Sequence, residues 1–231
     1  MGDSTDRPVM DFSGFVLAAA TADLADEPQA RDHADAVEFR LDLADDPEAQ
    51  LDGYAGELPL IATNRAEWEG GEAADAGRLD LLATAIDHPG VEAIDVELQS
   101  IEDGEADNLV DRAREAGVTV IASSHEFERT PPVPNLNDRL RRSAAAGDIG
   151  KLAVMAEGPG DVLALLEATW EQSTAGNPVA TMAMGEAGRH SRVICPLYGS
   201  RVGYAPVSTD DSTAPGQFGL ATLRSLIETL R

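Results

Sequence analysis

Lysine is almost absent from this chain of 231 residues. Of 17 basic residues only Lys151 is a lysine, and the others are arginine. Cysteine is equally scarce: Cys195 alone allows no internal disulfide and no cysteine-built metal cluster. No apolar run reaches membrane length, and Met1 to Pro8 carries neither a basic segment nor an apolar core of a leader, so the expected location is cytoplasmic. Positive charge as a whole is in short supply. Against 42 acidic residues it leaves a formal net charge of -25 and a pI near 4.2. Such a field repels nucleic acid and anionic membranes, so neither is expected as a partner. Disorder is excluded by 43% hydrophobic residues arranged in regular short runs. Self-repulsion on this scale suits a protein that works in concentrated salt, where at 1 M the Debye length falls to about 3 Å.

What is present begins with the setting of that one lysine, the run Asp148-Ile149-Gly150-Lys151-Leu152-Ala153-Val154-Met155-Ala156. A lysine is ordinarily a solvated surface charge. Here arginine fills every other basic position, so the amine is expected to do what guanidinium cannot. A desolvated amine can lose its proton and act as a nucleophile, as in a Schiff base.

Taken in order, short apolar runs alternate with helix-like stretches. The runs are 14–21, 36–43, 58–63, 91–99, 118–124, 149–156, 178–185 and 202–207, and the helix-like stretches include 23–35, 73–87, 107–116, 137–146, 161–173 and 217–231. Within 36–43 the residues alternate: Val37, Phe39, Leu41 and Leu43 share one face and Glu38, Arg40 and Asp42 the other. Those charges face either solvent at a sheet edge or a cavity. In the last helix Leu223, Leu226, Ile227 and Leu230 form an apolar stripe. Strand and helix repeating every 25 to 30 residues or so predict a parallel sheet. Eight such units in one domain over 1–231, with a flexible N-terminus at about 1–12, predict a (β/α)8 TIM barrel of the α/β class. A doubly wound open sheet is the alternative, but the first turn, LAAATADLADEP, has no glycine for a phosphate loop.

Barrels carry their chemistry at strand C-termini and in the loops that follow. Polar residues gather there: Glu38 and Arg40, Arg65 and Glu69, His125, Arg192, and Thr213 with Gln217. Lys151 sits early in its run, and its four-carbon stem must climb the lumen, with Ala153 above it leaving room. Each residue alone has an ordinary explanation, such as a surface ion pair or a turn-capping histidine. Together they describe a site for a small keto acid. Arginine clamps the carboxylate, the lysine amine attacks the ketone to make an iminium electron sink, and histidine moves protons.

The ordered motifs Glu38-Phe39-Arg40-Leu41-Asp42, Thr63-Asn64-Arg65 with Glu69-Gly70-Gly71, Ser123-Ser124-His125-Glu126-Phe127, Gly150-Lys151-Leu152-Ala153, Met182-Ala183-Met184-Gly185, Ser191-Arg192 and Ala214-Pro215-Gly216-Gln217 closely resemble type I 3-dehydroquinate dehydratase, a Schiff-base hydro-lyase of the shikimate pathway. The resemblance runs nearly end to end. It implies that Lys151 forms an imine with the C3 ketone of 3-dehydroquinate. It further implies that His125 moves the C2 proton and assists loss of the C1 hydroxyl to give 3-dehydroshikimate, with Glu69 assisting His125. Arg192 is implied to bind the carboxylate, and Glu38, Arg40, Arg65, Thr213 and Gln217 to hold the rest of the substrate. It implies a homodimer that needs no cofactor and no metal. This chain departs from the pattern at Thr213, where the family commonly has serine, and at Tyr204, where it commonly has phenylalanine. Two other readings fit the barrel: a lysine-imine aldolase, for which no phosphate loop is evident, and a non-catalytic binding barrel.

Overall fold

The computed structural model describes residues 10–207 and 216–230. The expected flexibility of the first residues and the assignment of Thr213 therefore fall, wholly or largely, outside the described residues. Eight strands, β1 (Val16–Thr21), β2 (Ala36–Arg40), β3 (Leu60–Thr63), β4 (Val91–Glu97), β5 (Thr119–Glu126), β6 (Ile149–Met155), β7 (Val179–Met184) and β8 (Val202–Pro206), form one parallel sheet in the order β7-β6-β5-β4-β3-β2-β1-β8. A lone parallel bridge between Val179 and Ser200 draws its two ends together. There the Arg201 N–H donates to the Val179 carbonyl at 2.7 Å and the Thr181 N–H to Ser200 Oγ at 2.9 Å. The result is a nearly closed (β/α)8 barrel, as expected from the alternation of runs.

Around it lie α1 (Glu27–Ala30), α2 (Pro47–Gly53), α3 (Arg78–Ala85), α4 (Leu98–Glu102), α5 (Asp107–Ala116), α6 (Val133–Ala146), α7 (Pro159–Thr174), α8 (Gly185–Gly188), α9 (Ser191–Ile194) and α10 (Leu220–Leu230). Several bounds differ from expectation for local reasons. The stretch 23–35 holds only a 3-10 turn and the four residues of α1. Helix α3 waits for Arg78 because Gly77 adopts φ +79°, a left-handed conformation outside the helix. Helix α6 starts at Val133, earlier than 137, because Pro134 falls in the first turn, where its missing N–H is no loss. In α10 the buried stripe is narrower than expected: Leu220, Leu223 and Ile227 are covered, while Leu226 and Leu230 stay 37% and 48% exposed.

Because the strands are parallel and covered by helices, both their faces are buried. The outward residues, among them Leu17, Val37, Phe39, Leu60, Ile94 and Val96, pack under the first helices, and Leu152 and Val154 pack against α6 and α7 through Leu136, Leu140, Val162 and Leu165. The inward residues are layered. Val16, Ala36, Ile61, Ala93, Ile121, Ile149 and Val202 plug the bottom of the lumen. One step up, at a spacing of two residues, the same strands present Glu38, Thr63, Asp95, Ser123, Lys151 and Tyr204. The next step brings Arg40, Arg65, Glu97, His125 and Ala153. The charged face of β2 thus lines the lumen and not solvent. Register fixes the neighbours, with Thr63 opposite Asp95 and Ser123 opposite Lys151. Gly150 lets α6 press against β6 beside the lysine: a Cβ there would sit 2.6 Å from the Ala144 nitrogen.

Candidate active site

Lys151 rises from low in β6 into a pocket at the C-terminal end of the barrel. It is buried, with its side chain only 6% exposed. The ammonium donates to Asp95 Oδ2 at 2.7 Å, stands 3.8 Å from Glu38 Oε1 and lies 4.1 Å from the centre of the Tyr204 ring. Ala153, the next inward residue on the same strand, lines the pocket above it. The early position therefore allows the amine to reach the mouth.

Beside the amine runs a buried chain of alternating charge. Arg65 donates to Asp95 Oδ1 at 2.5 Å, to Glu97 Oε1 at 2.9 Å and to Ser123 Oγ at 2.7 Å. Arg78 closes the chain on Glu97 and Ser100. Burial alone would raise the Asp95 carboxyl, but Arg65 and Lys151 hold it well below the usual carboxylate range. Burial would lower Arg65, yet Asp95 and Glu97 outweigh it and hold the guanidinium charged. Every charge in the chain has a partner of opposite sign, the condition under which buried ions are tolerated. Breaking one such pair typically costs about 3–5 kcal/mol. Gly71 belongs to this frame, since any Cβ there would overlap the backbone of Arg65.

At the rim of the pocket, Glu69 ends a 3-10 turn at Gly70, and its Oε2 lies 2.6 Å from His125 Nδ1. His125 was expected after the fifth strand; it lies inside β5, which continues to Glu126 because Ser123 and His125 occupy inward lumen positions. Burial first, then the charges of Arg65 and Lys151, hold the imidazole well below its ordinary value, so it is neutral at neutral pH. Burial pushes the Glu69 carboxyl up to about 7, with Arg65 opposing and Glu97 adding to the rise. Phe127 stacks on the imidazole with ring centres 5.8 Å apart and packs over Gly70.

Arg40 is forked onto Asp42 at 2.8 and 2.6 Å, so Asp42 turns back toward it from the loop after β2. Glu38 accepts from Thr63 Oγ1 at 3.0 Å. Arg192, in α9, is different in kind. It is 6% exposed, its Nε is buried with no acceptor, and among the described residues no carboxylate pairs with it. Burial brings its guanidinium down to about 10. Ser191 fixes α9 to β7 by accepting the Ala183 N–H at 2.8 Å. Gln217 enters from the far side, after Gly216 at φ +78°.

Lys151, His125, Glu69, Glu38, Arg40, Arg65, Arg192 and Gln217 thus surround one pocket. Sequence reasoning passed over Asp95 and Glu97, which sit in the run VEAIDVE as if it were wholly apolar. The signal was available: two acids spaced by two, on one face of a doubly covered strand, require cations inside the barrel. Met182 and Met184 add an apolar wall on the β7 side. Among the described residues no helix is long and apolar enough to cross a membrane.

The family described as type I 3-dehydroquinase matches residues 16–231. A 3-dehydroquinate dehydratase of Haloarcula marismortui is 55% identical over 226 residues, covering 96% of this chain and 99% of the relative. The crystal structure of 3-dehydroquinate dehydratase from Geobacillus kaustophilus superposes with a TM-score of 0.84 at 30% identity, over 94% of this chain and 91% of that one. A type I enzyme from Clostridium difficile, solved with covalently modified comenic acid, gives 0.84 at 29% identity over 94% and 92%. The chain belongs to the type I 3-dehydroquinase family, and its activity is that of a 3-dehydroquinate dehydratase.

Proposed function

We propose that the dehydration runs through an imine on Lys151, with His125 as the group that moves the proton. The observation that carries this reading is the placement of the chain's one lysine, buried in the same pocket as the His125–Glu69 pair and Arg192, which no carboxylate pairs among the described residues. The covalently modified ligand in the Clostridium difficile relative fits a family site with a nucleophile.

Arg192 is a cation waiting for an anion, and the substrate carboxylate supplies one in a bidentate geometry that guanidinium suits. Anchored there, the ring brings its C3 ketone to the Lys151 amine. Attack at C3 and loss of water give a protonated imine, which withdraws electrons from C2. With Glu69 accepting from Nδ1–H, the Nε2 of neutral His125 holds a lone pair that takes the C2 proton. The resulting enamine expels the C1 hydroxyl, which leaves as water with the proton that His125 returns. Hydrolysis of the conjugated imine releases 3-dehydroshikimate and restores the amine. In this reading Glu38, Arg40 and Gln217 hold the substrate hydroxyls. Arg65, wholly engaged by Asp95, Glu97 and Ser123, supports this reading as a group that orders the site.

The test is formation of the conjugated enone, followed by absorbance, in Lys151→Met and His125→Asn. Both are expected to lose turnover by several orders of magnitude. In 18O-labelled water, early product of the native enzyme is expected to carry solvent oxygen at C3 beyond the level in substrate left in buffer. Turnover that persists in Lys151→Met would rule the imine out.

A further inference from the structure

We propose that Asp95 is the counter-ion of the imine, holding the Lys151 nitrogen in the free enzyme and keeping it protonated once it is bonded to the substrate. The proposal rests on the imine reading above. Asp95 stands in β4 with its side chain fully buried. Oδ2 accepts from Lys151 Nζ at 2.7 Å while Oδ1 accepts from Arg65 at 2.5 Å, so the carboxylate is gripped from both sides and its plane is fixed. Lys151 lines the pocket and Asp95 does not, so the carboxylate leaves the pocket side of the nitrogen to the ketone.

The balance of the step shows why an anion belongs there. An alkylammonium and a ketone become a protonated imine and one water. A C=N bond replaces C=O, and nitrogen carries one positive charge on both sides of the equation. An anion beside Nζ is therefore paired before and after. The proton on the imine is what makes it an electron sink, because a neutral imine draws electrons from C2 far less. An opposite charge within about 4–6 Å favours the charged form by roughly 1–3 pKa units, or 10- to 1,000-fold in the ratio of protonated to neutral imine.

The other groups facing this nitrogen do not take the role. Glu38, from β2, stands at 3.8 Å and is engaged by Thr63. Arg65 is a cation, and His125 from β5 is neutral. Tyr204 from β8 presents its ring, and burial together with Glu38 and Asp95 keeps its hydroxyl protonated. Glu69 is turned to His125. Asp95, held well below the usual carboxylate range, stays an anion and serves as no proton acceptor at working pH.

Because Lys151 is the only lysine, 15N labelling at lysine Nζ gives a single resonance whose shift reports imine formation and imine protonation. The protein used is His125→Asn loaded with 3-dehydroquinate, which is expected to hold the imine without turnover. Its imine nitrogen is expected to remain protonated from pH 6 to 9, above the pH at which the imine of the same ketone with free butylamine loses its proton. Adding Asp95→Asn is expected to bring that loss down by roughly 1–3 pH units. In the otherwise native chain, Asp95→Asn is expected to lower kcat by about 10- to 1,000-fold, with the deficit growing as pH rises. Glu97→Gln, which also loosens Arg65, is expected to lose stability but leave the imine titration where it was. Should Asp95→Asn fail to fold, the comparison of His125→Asn with the butylamine imine still decides the matter. Equal titration of the two overturns the counter-ion, as does a titration unmoved by Asp95→Asn. Absence of any imine resonance overturns the imine itself and is read separately.

Discussion

Replacing Arg192 by methionine is expected to make the protein more stable and less active in one step. Arg192 is 6% exposed, and among the described residues its Nε has no acceptor and no carboxylate compensates its charge. Burial brings it down to about 10, well below the ordinary guanidinium value. A base whose pKa is lowered by folding destabilises the fold at every pH below the folded value, and the penalty fades as pH rises above 10. At 1.36 kcal/mol per unit, the penalty at neutral pH is about 3 kcal/mol. Methionine keeps the apolar stem, so most of that is recovered, and urea unfolding of the free enzyme at pH 7.5 is expected to show a gain of about 1–3 kcal/mol. Activity moves the other way. Removing one partner of a buried, hydrogen-bonded charge pair costs about 2–5 kcal/mol, so kcat/KM is expected to drop at least ~30-fold, mostly through KM because the carboxylate is held in ground and transition states alike. A variant that loses stability together with activity, or one whose KM stays native, would refute the assignment of Arg192 as an anion site kept at the expense of stability.

Tyr204→Phe removes a buried hydroxyl that has no hydrogen-bond partner among the described residues but keeps the ring under Lys151. It is expected to raise stability by about 1 kcal/mol by calorimetry, and a loss of stability would show that the hydroxyl is satisfied. Glu69→Gln tests the raised carboxyl: an acid whose pKa climbs from 4.5 to about 7 on folding loses stability as pH rises through that window. Denaturant midpoints of the native chain are thus expected to fall relative to Glu69→Gln between pH 4.5 and 7 and to run parallel above it. The charge of -25 predicts that dialysis from molar to millimolar salt lowers the folded circular dichroism signal, as the Debye length grows from about 3 Å to roughly 30 Å at 0.01 M. An unchanged spectrum would contradict salt dependence.

How far this site could be read from sequence followed from which of its determinants are local. The alternation through β2 separated Val37 and Phe39 from Glu38 and Arg40, and one rule, that both faces of a parallel strand are covered, turned the charged face into a lumen wall. The solitary lysine was legible from composition alone. The partners of these groups were not, since each pairing spans distant strands: Lys151 meets Asp95 across 56 positions and Arg65 meets Ser123 across 58. Asp95 and Glu97 were hidden by their apolar neighbours. The polar end of β5 resembled a loop, but the lumen takes in His125 and Arg139 of α6 stands 3.6 Å from Glu126, so the strand continues past Ser124. The isolation of Arg192 is a property of what surrounds it in space, which no local pattern records.

The most direct test of the central claim is reductive trapping. The native enzyme is mixed with 3-dehydroquinate, borohydride is added during turnover, and the protein is weighed intact and mapped by mass spectrometry. The imine predicts one reduced substrate adduct per chain, located at Lys151, appearing in step with irreversible loss of activity and absent from Lys151→Met. Full turnover with no adduct at Lys151 would contradict it.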